Sequence, residues 1–121
     1  MSWATDRHNW TRQRIWRRID EYLDTRHIGR AWVEQAFRIT PDTARIPDAA
    51  FATFERYGPS YLDKNVMPFV PDLAVEVVSA TGRAEEIRDK VCDYLDNGAD
   101  TVWVVYLNRR QAEIWERGAP C

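Results

Sequence analysis

The stretch PDLAVEVVSATGRAEEIRDK, residues 71–90, contains the clearest structural signal in the sequence. Its run LAVEVV is apolar on both faces except at Glu76, which is typical of a central strand covered on both sides. Asp72 shares a strand face with Glu76, because side chains alternate with a period of two. A carboxylate in such a strand costs free energy unless it is paired or binds a metal. The stretch therefore predicts a buried strand whose acids need a partner.

The segments after this strand complete a β-α-β unit. Residues 83–97 have the pattern of an amphipathic helix that Gly98 ends, and residues 101–107, TVWVVYL, are typical of a further strand. A strand, helix, strand run of this length favours parallel strands joined by a right-handed crossover. The turn NRR then leads to Gln111–Trp115, which we predict to be an antiparallel edge strand.

The first half of the chain contributes a helix and two more strands. Residues 9–26 have the apolar spacing of a helix, strands are predicted at residues 31–39 and 46–54, and residues 55–70 are predicted to form a loop. The order helix, three strands, helix, two strands indicates a mixed α/β sheet flanked by helices. A length of 121 residues favours a single domain over residues 1–121.

The charge distribution is balanced overall and uneven locally. Charged residues make up 30% of the chain and the net charge is −2, which is typical of an ordinary folded domain. Residues 1–30 nevertheless hold seven arginines against four acids. A basic helix of this kind can contact phosphates, and the alternative is a solvated surface with no partner.

The cysteines and the hydropathy pattern bear on the redox compartment of the protein and on its relation to membranes. Cys92 and Cys121 have no CxxC spacing, so the sequence predicts neither a zinc site nor a disulfide, and a reduced, cytoplasmic setting fits. No apolar stretch approaches the roughly 18 residues that span a bilayer. The first ten residues, MSWATDRHNW, lack the apolar core of a signal peptide. We expect no association with a membrane.

A second acid and a lysine extend the candidate site around Glu76. Asp48 follows a proline at the start of a predicted strand, and two acids from adjacent strands can converge on a hard cation such as Mg²⁺. Lys90 lies at the edge of the helix's apolar stripe, from which it can reach over the end of the sheet. Glu86, four residues earlier, offers Lys90 an ordinary surface ion pair instead. Lysine is rare here, since the chain has 15 arginines and two lysines.

Four segments resemble one known family. The blocks PDLAVEVVS and RDKVCDYLDNGADTVWVVY are similar to the signature region of the Uma-type restriction endonucleases, within the PD-(D/E)XK nuclease superfamily. RIPDAAFA resembles the family's upstream strand, and RHNWTRQRIWRRIDEYL resembles its histidine-led helix. The resemblance covers most of the chain. It implies a restriction-endonuclease-like fold and metal-dependent hydrolysis of phosphodiester bonds in DNA.

The resemblance also implies roles for individual residues. Asp48 matches the first metal-binding acid and Glu76 the acid of the (D/E)XK element. Val78 occupies the usual lysine position, so Lys90 corresponds to a lysine that has migrated to the next helix. The implied catalytic residues are therefore Asp48, Glu76 and Lys90.

The implied cofactor is Mg²⁺, with Mn²⁺ as a substitute. Its candidate ligands are Asp48, Asp72, Glu76 and the backbone carbonyl of Val77. Whether Asp48 or Asp72 is the closer ligand stays open.

His8 and Arg12 are candidates for contact with DNA phosphates. For His8, capping or packing at the start of its helix is an equal alternative.

The sequence departs from the family pattern at its beginning. The family's leading strands are missing, so we expect a sheet that lacks them and exposes an edge. Such an edge permits a homodimer. Two alternatives to a nuclease remain: an inactive or truncated module that binds nucleic acid or a protein, and a structural domain in which Glu76 pairs with an arginine.

Overall fold

The structure is a computed structural model that describes residues 4–79 and 83–121. Its elements in chain order are α1 (Asp6–Asp24), β1 (Gly29–Val33), β2 (Ala36–Thr40), β3 (Thr43–Arg45), β4 (Ala49–Thr53), a 3₁₀ turn (Pro59–Tyr61), β5 (Val66–Met67), β6 (Leu73–Val78), α2 (Ala84–Asp96), β7 (Thr101–Tyr106) and β8 (Gln111–Glu116). Among the described residues, no helix combines the length and apolar content needed to cross a membrane.

The main sheet is built around β6, the strand that Glu76 interrupts. Its five strands lie in the order β1-β4-β6-β7-β8. β6 and β7 are parallel, and β8 pairs antiparallel with β7 at the edge. These observations confirm the predicted β-α-β unit and its edge strand. The mixed sheet with helices on its faces confirms the predicted fold class.

The segment predicted as one strand over residues 31–39 is two strands in different sheets. β1 belongs to the main sheet, whereas β2 joins β3 and β5 in a three-stranded sheet. The break falls at Glu34, whose φ of 55° reverses the chain where periodicity alone shows no interruption. β5 and the 3₁₀ turn likewise occupy the stretch predicted as a loop.

The apolar core lies between the two sheets and α2. Val91, Tyr94 and Leu95 of α2 pack there against an aromatic group that includes Trp32 and Phe37. α1 covers the opposite face of the main sheet along β1, β4 and β6. Thr5 caps the start of α1 by accepting a hydrogen bond from the backbone N–H of His8, so the helix begins three residues before the predicted start.

The cysteine spacing predicted no disulfide, and the structure contradicts that prediction. Cys92 on α2 and Cys121 at the chain end form a disulfide, with a Cα–Cα distance of 5.6 Å. The edge strand β8 runs antiparallel to β7 and returns the chain end to α2, which sequence spacing does not reveal. Disulfides are rare in reducing compartments such as the cytoplasm. The bond therefore does not support the cytoplasmic setting, which stays a prediction.

Candidate active site

Adjacent strands bring Asp48 and Glu76 together. Ala49 pairs with Val75 in the β4–β6 ladder, and the backbone N–H of Asp48 donates to the carbonyl of Val75 at 3.0 Å. Asp48 therefore stands opposite Glu76. Its Oδ2 accepts a hydrogen bond of 2.7 Å from the backbone N–H of Val77, which ties the carboxylate to β6.

Glu76 is a buried carboxylate, and few polar contacts offset the free-energy cost of its burial. Its exposed fraction is 9%, and the hydroxyl of Tyr94 donates to its Oε1 at 3.3 Å. Burial, followed by the negative charge of Asp48, raises the pKa of Glu76 to about 7, although Lys90, Tyr94 and Arg45 act in the opposite direction. The alternative of a structural domain requires an arginine paired with Glu76. Within the described ranges no arginine forms such an ion pair.

The first turns of α1 form one wall of the site. Arg12 lies 3.3 Å from Oδ1 of Asp48 and also pairs with Glu34. His8 Nε2 lies 2.9 Å from the carbonyl oxygen of Val77 and 3.6 Å from Oδ2 of Asp48. Because a carbonyl only accepts, that contact is a hydrogen bond when Nε2 carries the proton. Both side chains thus contact Asp48, and His8 also contacts Val77. Their contact with phosphate stays a prediction.

Asp72 lies apart from this group. Four residues of strand separate it from Glu76, roughly 13 Å. Its Oδ2 accepts from the backbone N–H of Thr53 at 2.7 Å, and its Oδ1 lies 3.0 Å from Arg56 Nε. The structure therefore gives Asp72 partners at the other end of β6, and Asp48 is the acid that it places beside Glu76.

Lys90 projects from the exposed face of α2 at the mouth of the site. It lines a small cavity of about 140 Å³ together with Glu76 and Glu86. Its positive charge lowers the pKa of Glu76, although burial outweighs that effect. Among the ion pairs of the described residues, none joins Lys90 to Glu86. The lysine is thus near the acids and without the surface partner that the sequence offered.

The donor set fits a hard cation that keeps water ligands. Asp48, Glu76 and the carbonyl of Val77 supply oxygen atoms only, the type that Mg²⁺ prefers. No cluster of three or more His, Cys, Asp or Glu side chains in the described part of the chain is arranged to hold a metal. Because Mg²⁺ takes octahedral geometry, two carboxylates and one carbonyl would leave coordination positions for water. Repulsion between the acids is the physical reason that a cation would be favoured there.

Sequence reasoning missed the support that Arg45 and Asp93 give to the site. Arg45 Nε donates to Oδ2 of Asp93 at 2.9 Å, which links β3 to α2. The positive charge of Arg45 also lowers the pKa of Glu76. Its position three residues before Asp48 is the only signal in the sequence, and that signal does not identify a partner.

Comparisons with known proteins agree with this architecture. The model of the Uma2 family, described as "Putative restriction endonuclease", matches residues 1–120. A crystal structure described as a "putative nuclease belonging to DUF820" from Anabaena variabilis superposes with a TM-score of 0.84 at 15% identity. The alignment covers 98% of this chain and 67% of that one, and at this identity it shows the fold alone.

No curated protein matches the sequence. The family match extends over nearly the whole chain, and it confirms the resemblance drawn from the signature blocks. Together with the fold, it indicates a restriction-endonuclease-like nuclease. This protein belongs to the Uma2 family of restriction-endonuclease-like proteins.

Proposed function

We propose that this protein is a divalent-metal-dependent DNA endonuclease that hydrolyses phosphodiester bonds, with residues 1–121 acting as one domain. The observation that carries the proposal is the placement of Glu76, buried beside Asp48 with no ion pair among the described residues. A structural protein gains nothing from two adjacent carboxylates, one of them buried. A nuclease needs them, because a metal bound there acts on phosphate oxygens and water.

The metal ligands in this proposal are Asp48, Glu76 and the carbonyl of Val77, with Mg²⁺ or Mn²⁺ as the ion. When bound, the ion would lower the pKa of water and offset negative charge on the phosphate. Asp48 is preferred to Asp72 because it lies opposite Glu76 and Asp72 is occupied elsewhere.

The other residues of the site orient groups and supply positive charge. His8 holds the carbonyl of Val77, and Arg12 holds Asp48. Lys90 places an ammonium group at the mouth of the site, where it can hold the attacking water and stabilise the charge that develops on phosphate. Tyr94 orients Glu76 from the core side.

The test is nicking of supercoiled plasmid by purified protein with Mg²⁺ or Mn²⁺. We expect Glu76→Gln and Lys90→Ala each to reduce the nicking rate by about 10²-fold or more. Matched controls are Glu85→Gln, an exposed acid on α2 that lines neither cavity near the site, and Lys64→Ala, which removes the chain's other lysine; both should nick at the rate of the wild type. Nicking that survives Glu76→Gln would contradict the assignment.

A second candidate function is a non-catalytic module that binds nucleic acid or a protein. The contacts of Asp48 favour it, because Arg12 and the backbone N–H of Val77 already give this acid an ion pair and a hydrogen bond without a metal. DNA binding that persists in a chelator, by a protein that never nicks, would support this candidate. Binding and nicking that both need the metal would support the nuclease.

A further inference from the structure

We propose that the β7–β8 turn, residues 107–110, binds the DNA strand beside the cleavage site through the guanidinium of Arg109. This inference rests on the proposed function and deepens it, since it assigns the surface along which the substrate lies. The turn contains the NRR sequence, to which the site described above gives no role.

The register of the parallel strands sets the turn next to the acids. Glu76 pairs with Val104 and Val78 with Tyr106, and the N–H of Leu107 donates to the carbonyl of Val78. The turn therefore begins about three strand residues beyond Glu76, roughly 10 Å along the sheet. That separation is short enough for one DNA strand to contact both the acids and the turn.

Two adjacent cavities with shared lining residues, together called the groove, lie between the acids and the turn. The cavity of about 140 Å³ beside Glu76 and Lys90 shares Val78, Ser79 and Ile87 with a second cavity of about 190 Å³. Arg109 lines the second cavity. Among the described residues, the shared lining at the end of β6 thus connects the surface at Lys90 to the surface at Arg109.

The charges along this groove fit a polyanion. Arg83 and Lys90 line the first cavity and Arg109 the second, whereas Glu86 is the acid at the rim besides Glu76 itself. Arginine suits phosphate because its planar guanidinium donates two parallel hydrogen bonds. In the described part of the chain Arg109 has no ion pair, so its charge is available to a ligand.

The turn is held in place before any ligand arrives. The guanidinium carbon of Arg109 lies 5.2 Å from the centre of the Tyr106 ring, and the Tyr106 hydroxyl donates to Glu113 at 2.8 Å. Arg7 of α1 donates to the carbonyl of Leu107 at 3.1 Å. These contacts restrict the side chain of Arg109 and the backbone of the turn, which reduces the entropy lost on binding.

The experiment measures DNA binding without cleavage. The full chain carrying Glu76→Gln is titrated with a fluorescent duplex over a range of KCl concentrations, and binding is read by anisotropy. We expect a further Arg109→Ala change to weaken binding about tenfold and to reduce the slope of log K against log salt by about 1. Arg109→Lys should keep most of the salt slope because it keeps the charge.

The matched control is Arg26→Ala. Arg26 also stacks on a tyrosine, 4.2 Å from the ring of Tyr22, but it follows the other end of α1, roughly 25 Å from His8 along the helix axis. This variant should bind as the parent does. Parent-like affinity and salt slope in Arg109→Ala would overturn the inference.

The outcomes separate this inference from the proposed nuclease. Plasmid nicking that depends on Glu76, combined with parent-like DNA binding by Arg109→Ala, supports the nuclease and contradicts DNA binding by Arg109. DNA binding that depends on Arg109, in a protein that never nicks, supports the role of Arg109 and contradicts the nuclease. A Glu76→Gln protein that does not bind the duplex at all overturns the groove.

Discussion

Glu76 shows how one buried side chain shapes the electrostatics of a site. The strand around it is apolar, so the carboxylate loses most of its hydration, and Asp48 adds repulsion. Tyr94, Lys90 and Arg45 offset only part of this cost. The residue is therefore poised to bind a proton or a metal, and the stability of the fold depends on which is present.

The first prediction concerns the pH dependence of stability without metal. The pKa of Glu76 rises from 4.5 to about 7 on folding, so between these values the folded state binds the proton more tightly than the unfolded state does. The free energy of unfolding should fall as pH rises through this window, with a loss of roughly 3 kcal/mol from this group.

Urea denaturation in EDTA between pH 4 and 8 measures this loss. Glu76→Gln should remove it, whereas Glu86→Gln, at an exposed position on α2, should retain it. Identical pH profiles for the wild type and Glu76→Gln would contradict the prediction.

The second prediction concerns Gly29, where β1 approaches β4 closely. A Cβ atom at this position would lie 2.1 Å from the carbonyl oxygen of Ala52 and 2.7 Å from the Phe51 ring. Backbone cannot yield as a flexible side chain can, so Gly29→Ala should destabilise the fold by about 2 kcal/mol or more. Gly58→Ala is the control, because nothing lies within 4 Å of a Cβ there. Equal unfolding midpoints for the two variants would refute this reading of the β1–β4 contact.

At the scale of elements, α2 connects the site, the core and the chain end. Tyr94 reaches Glu76 from its buried face, and Lys90 lies at the mouth of the site. Between them in sequence, Cys92 bonds the helix to Cys121. The helix that carries the candidate lysine is therefore covalently attached to the segment after β8.

The third prediction follows from that disulfide. It joins residues 29 positions apart, and closing a loop of this size lowers the conformational entropy of the unfolded chain, an effect of about 3.6 kcal/mol at 25 °C. Reduction with a dithiol should lower the unfolding free energy by up to this amount. Cys121→Ser should behave as the reduced wild type does and should not respond to the reductant. An unfolding midpoint that stays constant while both thiols become titratable would contradict this expectation.

At the scale of the whole molecule, the candidate site is assembled from distant parts of the chain. α1 supplies His8 and Arg12, the residue before β4 is Asp48, β6 supplies Glu76, and α2 supplies Lys90. Each segment has its own structural reason to form. Only the complete packing of helices on the sheet places their polar side chains at one edge, so binding at the site should report on global stability.

The fourth prediction concerns Mg²⁺ and thermal unfolding. A ligand that binds only the folded state at a hundredfold excess over its Kd stabilises by about 2.7 kcal/mol. We expect Mg²⁺ to raise the melting temperature clearly at pH 8 and little at pH 5, because protonation of Glu76 competes with the metal. Scanning calorimetry with and without MgCl₂ measures the shift. A shift of equal size in Glu76→Gln would place the ion elsewhere.

The sequence alone established the features that depend on local pattern. The apolar run of β6, the stripe of α2 and the length of the crossover sufficed for a parallel β-α-β unit, because periodicity and loop length are local properties. The signature blocks sufficed for the family. Glu76 was identified for the same reason, because a charged residue inside an apolar strand can be recognised from its sequence neighbours alone.

Tertiary packing settled what depends on distant neighbours. The reversal at Glu34 separates two strands that periodicity had merged, and the partners of Asp72 are groups at residues 53 and 56. The approach of His8 to Val77 spans 69 residues, and the disulfide of Cys92 spans 29. None of these contacts can be predicted from the spacing of residues in the sequence. They arise because burying the sheet between α1 on one side and α2 on the other leaves few positions for each polar group.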